Sequence, residues 1–491
     1  MSTIEGLSAS DAAEGGAASR PRVTRAFRTM PTPKALPLLG SYLAMMRDPL
    51  GFFLDVAQHT GPMARLRFGP YTYVLASEPE AVRRVLLESP RRYRKSRNYR
   101  SLERVLGKGL LTSEGDFWKR QRKLAQPAFH HKRLELLVAA MADATADMIA
   151  RWQRERVGTT IDVHAEMMRL TLRIAGKTLF GVDLDGQAAE IGEAVSTLLP
   201  YANAEVEQPV RLPFWVPTPE HLRIRRAMTR LDEMVYGIIR ERRASGKRHD
   251  DLLDMLMAAT DEESGEGMTE VQLRDEIMTL ILAGHETTAS TLSFALHLLA
   301  HNPAWAEALR QEAAEVIPSD EIGMAQARSL EVTGRIIEES MRLYPPAWAY
   351  EREALEDDVL DGYPIRAGTP VVICTWSQHR LTRFWDEPER FDPDRFLPEA
   401  VAARPRQAYL PFGDGPRVCI GKAFAMLESK ILLAMMVRDL DLRLSERPLR
   451  LDPGVTLRPK GGLFLRLEGL APKPRARVAA LSPGGDASRA R

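Results

Sequence analysis

Two of the 491 residues are cysteines, and one of them, Cys419, sits in the loop PFGDGPRVCIG (411–421), just ahead of a long apolar run. Three glycines in that loop let backbone N–H groups approach a sulfur closely, and hydrogen bonds to sulfur tune the potential of a bound metal. A thiol at a helix start also feels the helix's positive end, which favours thiolate. Gly421 leaves room for something flat and wide, Arg417 offers a cation to an anionic group, and Phe412 can shield the sulfur from water. Together these features describe a thiolate ligand for a large anionic cofactor. The competing account is a buried inert thiol. Cys374, in the apolar stretch VVICTW with no glycine or cation beside it, fits that account better.

A second set lies mid-way along the apolar run 277–300, in Ala283-Gly-His-Glu-Thr-Thr288. Glycine inside a helix costs roughly 1 kcal/mol against alanine, so Gly284 needs a reason such as the close approach of a ligand. Thr287 offers a hydroxyl and Glu286 a proton-carrying carboxyl. Both threonines are equally suited to bonding back to the preceding turn. A zinc-protease reading of His285-Glu286 fails, because the second histidine would fall at 289, which is Ala289; His285 itself reads as a core or surface residue. Glu339 and Arg342 stand at i, i+3 and can pair, while Trp118 and Arg122 at i, i+4 put an indole N–H and a guanidinium on one helix face.

Phe412-x-x-Gly415-x-Arg417-x-Cys419-x-Gly421 resembles the haem-ligand signature of the cytochrome P-450 family. The resemblance runs over about residues 31–470. It implies a mainly α fold with small β-sheets, built as one domain, with haem between the long central helix and the helix after the cysteine loop. Cys419 would be the proximal iron ligand. Gly284, Glu286 and Thr287 match the oxygen-activating motif, where the acid–alcohol pair would deliver the protons that O–O cleavage consumes. Glu339, Arg342 and Arg395 match a structural ion-pair triad that fixes the segment presenting the cysteine. Trp118, Arg122, Arg352 and Arg417 match positions that hold the haem propionates. The implied activity is insertion of one oxygen atom from O2 into a lipophilic substrate, a fatty acid, terpenoid or similar molecule. Electrons would come from NAD(P)H through a separate ferredoxin or flavodoxin and its reductase, since two cysteines cannot hold an iron–sulfur cluster and no flavin module follows. A peroxide-using or rearranging haem-thiolate enzyme and a non-catalytic haem sensor are the alternatives. The acid–alcohol pair speaks against both.

The elements that must position these residues are legible in outline. ARLRFGPYTYVLA (64–76) reads as two strands turning at Gly69-Pro70. Helical patterns dominate from about 114 to 260, with a break near 209–219. An acidic loop (260–267) leads into Thr269-Glu-Val-Gln272, a capping box opening the long apolar helix. Glu286 at the middle of that run argues for a buried core helix rather than a membrane span. A further helix begins near Leu330 and stops before Pro345-Pro346. Thr369–Trp376 reads as a strand, 423–436 as a helix apolar all round, and Val455–Leu467 as a hairpin turning at Lys460-Gly-Gly. Residues 1–30 and 471–491 read as disordered tails.

A composition that is 44% hydrophobic over this length supports a sizeable core, and a net charge of +2 gives no case for nucleic acid. The expected setting is cytoplasmic and the expected form a monomer. Residues 93–111 and 198–217, with Tyr99, Leu102, Leu106, Leu198, Tyr201 and Phe214, and the run AWAY (347–350) are expected to border the substrate. Lys119, Arg120, Lys123 and Lys422 suggest a basic face for an acidic electron donor.

Overall fold

Gly69-Pro70 turns the chain between β1 (Met63–Phe68) and β2 (Tyr71–Ala76), which pair antiparallel from Met63 opposite Ala76 to Phe68 opposite Tyr71. With β3 (Tyr93–Lys95), β4 (Tyr350–Ala354) and β5 (Pro370–Ile373) they form a five-stranded sheet in the order β1-β2-β5-β4-β3. Everything else of weight is helical. The computed structural model describes residues 23–471 apart from 89–90, 183–187, 208–211, 247–248, 250, 261–264, 266 and 320. Most of both expected tails and of the acidic loop therefore lies outside the described residues. The packed chain starts earlier than position 31: Thr24 and Arg25 donate their N–H groups to the Gly362 carbonyl, and Met30 is buried in the core.

Six helices frame the site: α1 (Gly115–Ala125), α2 (His131–Glu155), α3 (Val163–Leu179), α4 (Glu270–His301), α5 (Glu331–Leu343) and α6 (Lys422–Asp439). The capping box opens α4 as expected. The Thr269 N–H donates to Gln272 Oε1 at 2.7 Å, and the Gln272 N–H donates to Thr269 Oγ1 at 3.2 Å. At 1.5 Å per residue this helix is roughly 48 Å long. It is buried along most of its length because α3, α5 and α6 all pack against it. α6 is buried on nearly every side, with α2 and α5 against it. No helix among the described residues is long and apolar enough to cross a membrane.

Two local expectations fail. The strand read at Thr369–Trp376 is only Pro370–Ile373, followed by a helical turn, Thr375–Gln378. The Cys374 carbonyl takes both the Gln378 N–H and the Ser377 hydroxyl, which closes that turn. Val455–Leu467 is not a hairpin. Leu457–Pro459 pairs back with Leu451–Pro453, and Phe464–Leu470 pairs with Thr160–Asp162 and Leu440–Leu444. The reason lies in Asp162, whose Oδ1 accepts the Leu463 N–H at 3.2 Å while Val163 N–H donates to the Leu463 carbonyl. The chain leaving Gly461-Gly462 is captured there instead of folding back on itself.

Glu339 and Arg342 of α5 form a two-pronged ion pair, 2.6 and 2.8 Å, with both side chains fully buried. Arg342 also donates to the carbonyls of His379, Pro388 and Arg390, and Glu339 accepts the Asp392 N–H at 2.9 Å. Arg395 is the looser member: its Nε stands 3.7 Å from Glu339 Oε1 with no hydrogen-bond partner among the described residues, while its Nη2 donates to the Glu387 carbonyl. Removing the carboxylate strands a buried guanidinium, a loss of roughly 3–5 kcal/mol. Glu339→Ala is therefore expected to lose cooperative thermal unfolding and cofactor uptake together. A variant that melts cooperatively near the wild-type temperature with full haem absorbance would refute this role.

Candidate functional site

Gly415 shows why the cysteine loop has its composition. Its backbone is left-handed (φ 70°), and a Cβ there would stand 2.3 Å from the Leu86 carbonyl oxygen. A short 3-10 turn, Gly415–Arg417, follows, and the Cys419 N–H donates to the Phe412 carbonyl at 2.9 Å. This places Cys419 just before α6, with its sulfur facing an interior cavity of about 500 Å³. The expected lowering of the thiol pKa does not prevail. Burial raises it, and the N–H groups of Gly421 and Lys422 with the Arg122 charge only oppose the rise. A thiolate here needs a metal's own charge, which deprotonates a coordinating thiol outright.

The far wall of the cavity is α4. Gly284 faces it, and no atom outside its own helix turn lies within 4 Å of where a Cβ would stand. No packing demand explains this glycine; the open space does. Thr287 lines the cavity and donates its hydroxyl to the Ala283 carbonyl at 2.8 Å, and Thr288 donates to the Gly284 carbonyl at 3.1 Å. Both threonines thus make the back-bond weighed from sequence, with oxygen lone pairs to spare. Glu286 is buried. Its Oε1 accepts the Thr456 hydroxyl at 2.7 Å and lies 3.8 Å from Arg458, which pairs with Asp452. Burial raises the Glu286 carboxyl above its ordinary range. His285 is a core histidine whose Nδ1–H donates to the Ile281 carbonyl, and burial keeps it neutral.

Between these walls the cavity gathers cations. Trp118 and Arg122 come from one face of α1, and Arg122 donates to the Val418 carbonyl at 3.0 Å. Arg417 stacks on Trp118 at 3.8 Å and pairs with Glu114. Arg352, on β4, donates to the Glu351 carbonyl. The Nε atoms of Arg352 and Arg417 are buried without a hydrogen-bond partner among the described residues. Lys95 was not anticipated. It lies on β3, buried beside Leu110 and Ser113, and burial, then Arg417, hold its amine well below the usual lysine range. The signal was available, since alternation along Tyr93-Arg94-Lys95 turns Lys95 to the same buried side as Tyr93. Arg417 and Arg352 both act on Lys95, opposed by Glu114 and Glu276, and Arg352 also acts on Arg417, opposed by Glu114. That surplus of buried positive charge suits a dianion.

The other expected lining residues divide. Tyr99, Leu102, Leu106 and the run Ala347–Tyr350 border the cavity. Leu198, Tyr201 and Phe214 do not; Tyr201 and Phe214 pack on each other and on His221. Of the four residues read as a basic face, Lys119, Lys123 and Lys422 are exposed and Arg120 is half-buried, donating to the Gly267 carbonyl; Lys119 pairs with Asp116.

A cysteine at a helix start, a glycine across a gap, and unpartnered guanidinium nitrogens over a surplus of cations fit haem, its thiolate ligand and its two propionates. These are the parts of a haem-thiolate protein. The cytochrome P450 family matches residues 30–466. Among its relatives, the cyclooctat-9-en-7-ol 5-monooxygenase of Streptomyces melanosporofaciens is 36% identical over 436 residues, 88% of this chain and 92% of that one. Cyclooctatin synthase of the same organism is 36% identical over 458 residues, covering 92% and 97%. The pentalenene oxygenase of Streptomyces avermitilis is 34% identical over 431 residues, covering 87% and 92%. The chain belongs to the cytochrome P450 family and is a monooxygenase, an oxidoreductase that uses haem.

Two variants test the fit. Gly284→Leu is expected to fold as apoprotein, since helix propensity improves by up to about 1 kcal/mol, yet to show no haem absorbance. Full haem loading would remove the glycine from the site. Lys95→Met is expected to release haem to apomyoglobin faster while its apoprotein melts higher. The folded Lys95 gives up its proton more readily than the unfolded chain does. Wild-type apoprotein stability should therefore rise with pH up to the ordinary lysine range, and the variant should lose that rise.

Proposed function

We propose that this monooxygenase oxidises a terpenoid, with electrons passed from a reductase and NAD(P)H through a separate ferredoxin or flavodoxin. The observation that supports this substrate class most is the division of the cavity. Its cations, Lys95, Arg122, Arg352 and Arg417, collect around Trp118. The walls given by Leu102, Leu106, Leu179 and Leu280 carry none. A fatty acid's carboxylate would find no cation against those walls, whereas a hydrocarbon skeleton needs only apolar surface. The names of the Streptomyces relatives, a pentalenene oxygenase among them, point the same way.

In this reading the haem, when bound, supplies oxygen activation. Cys419 would ligate its iron, with Phe412 and Gly421 against that face. Trp118, Arg122, Arg352, Arg417 and Lys95 would hold the propionates. Glu286 would move protons: burial lets it hold one, and Thr456 with the partly exposed Arg458–Asp452 pair connects it to the surface. Thr287 would use its free lone pairs to orient the last donor in that path. The exposed lysines Lys119, Lys123 and Lys422 would steer an acidic carrier toward the cysteine side of a cytoplasmic, monomeric enzyme.

Spectral titration of the ferric protein tests the substrate class. Polycyclic terpenes are expected to displace the iron-bound water and shift the haem spectrum at lower concentration than fatty acids of equal carbon number. The reverse order would replace the terpenoid reading. For the acid–alcohol pair, Glu286→Gln should lower turnover by about 100-fold with substrate binding unchanged. Thr287→Ala should keep haem and substrate yet divert electrons to hydrogen peroxide. Unchanged coupling of NAD(P)H use to product would remove Thr287 from its role.

A further inference from the structure

Glu428, on α6, has no part in the scheme above, yet it lines the same cavity as Cys419 and Phe424. It is 1% exposed, and neither carboxyl oxygen has a hydrogen-bond partner among the described residues. A bare carboxylate left so in a protein interior is costly, whereas a carboxylic acid is not. One polar group acts on it, Thr288, reaching across from α4. Thr288 also bonds to the Gly284 carbonyl at 3.1 Å, so its one hydrogen is shared between two acceptors, and its contact offsets only part of the cost of burying the Glu428 carboxylate.

No charged group on the elements packed against α6, Arg328 of the helix Met324–Ser329 included, acts on Glu428 among the described residues, and several are paired elsewhere. On α4, Glu286 bonds to Thr456 and His285 to Ile281. On α5, Glu339 and Arg342 hold each other, and Glu338 responds to Lys422 and Lys430. On α2, Arg151 pairs with Glu166 and Asp147 with Arg173. On the helix Pro303–Val316, Arg310 pairs with Glu307; on strand Leu440–Leu444, Arg443 pairs with Asp441. None of them acts on Glu428, whose carboxyl burial pushes up to about 8.

We propose that Glu428 is a redox-coupled acid, a positioning residue that keeps the cysteine side of the cavity free of a second negative charge while the haem iron is reduced. The inference rests on Cys419 holding a haem. One electron from the ferredoxin or flavodoxin converts ferric to ferrous iron and adds one negative charge to the cavity. A Glu428 carboxylate in that low-dielectric space is repelled, so it takes one proton from solvent and becomes the neutral acid. At neutral pH the proton is already in place and reduction is unopposed. At alkaline pH the oxidised protein has lost it, and reduction must recover it.

The test is potentiometric, on the haem-loaded protein. The wild-type midpoint potential is expected to hold level up to about pH 8. Above that it should fall by up to about 59 mV for each tenfold drop in proton activity. Glu428→Gln keeps the shape and a hydrogen for Thr288 but cannot titrate, so its potential should stay at the neutral-pH value throughout. An alkaline fall of equal slope in Glu428→Gln overturns the proposal, as does a wild-type potential that stays level from about pH 6 to about pH 10. If the variant fails to load haem, redox-difference infrared spectra of the wild type at alkaline pH decide. A protonated-carboxyl band that grows on reduction and shifts in D2O supports the assignment; its absence overturns it. A ferrous–carbonyl spectrum without the thiolate signature would instead defeat the haem-thiolate reading itself.

Discussion

A chain of buried hydrogen bonds fixes where Cys419 stands, and the site depends on it. It begins at the Glu339–Arg342 pair, whose guanidinium gathers the His379, Pro388 and Arg390 carbonyls. His379 carries it onward: its Nδ1–H donates to the Arg342 carbonyl, and its Nε2 accepts the Leu410 N–H at 2.9 Å. An imidazole in that position must be neutral and in one tautomer, and burial with the neighbouring Arg342 and Arg380 charges keeps it so. Tyr409 and Tyr350 add hydroxyl bonds to the Glu338 and Leu410 carbonyls. Leu410 immediately precedes the cysteine loop, so α5 fixes the loop's origin, and contact of Gly415 with Leu86 fixes its far side.

The cavity between α4 and α6 is electrostatically divided as a consequence. Around Trp118 it holds cations: Arg417 and Arg352 help hold Lys95 down, and Arg417 is itself pushed down to about 10, first by burial and then by Arg352. Toward α4 and α6 it holds carboxyls that burial raises, Glu286 and Glu428. An uncharged ligand would relieve neither. A flat metal complex with two carboxylates at one edge would neutralise the cations and leave the buried acids their protons.

The parts of this arrangement that sequence reveals are those set by local rules. Gly284, the Cys419 loop and the Thr269 capping box are legible because backbone geometry demands particular residue types at fixed spacing. The strands 63–76 follow from alternation and a Gly-Pro turn. What sequence hides is set by partners far along the chain. Lys95 matters because Arg417 is 322 positions away in sequence and adjacent in space. The hairpin read at 455–467 fails because Asp162 intercepts the chain at Leu463. Arg417 points to Glu114 as well as to the cavity, a competition that no local pattern encodes. Tyr201 and Phe214 look like substrate contacts by composition, yet an aromatic cluster with His221 claims them, and Leu198 is buried away from the cavity.

Thr287 and Thr288 illustrate how little sequence separates two roles. Successive residues on a helix point about 100° apart. One threonine therefore faces the gap beside Gly284, and the next is turned toward α6 and Glu428. Each donates to the carbonyl four residues back. Thr288 also touches Glu428, where it offsets part of the rise that burial imposes on that carboxyl. The Thr287 oxygen stays open to the cavity, so one helical step separates a hydroxyl turned to a buried acid from one turned to the gap beside Gly284.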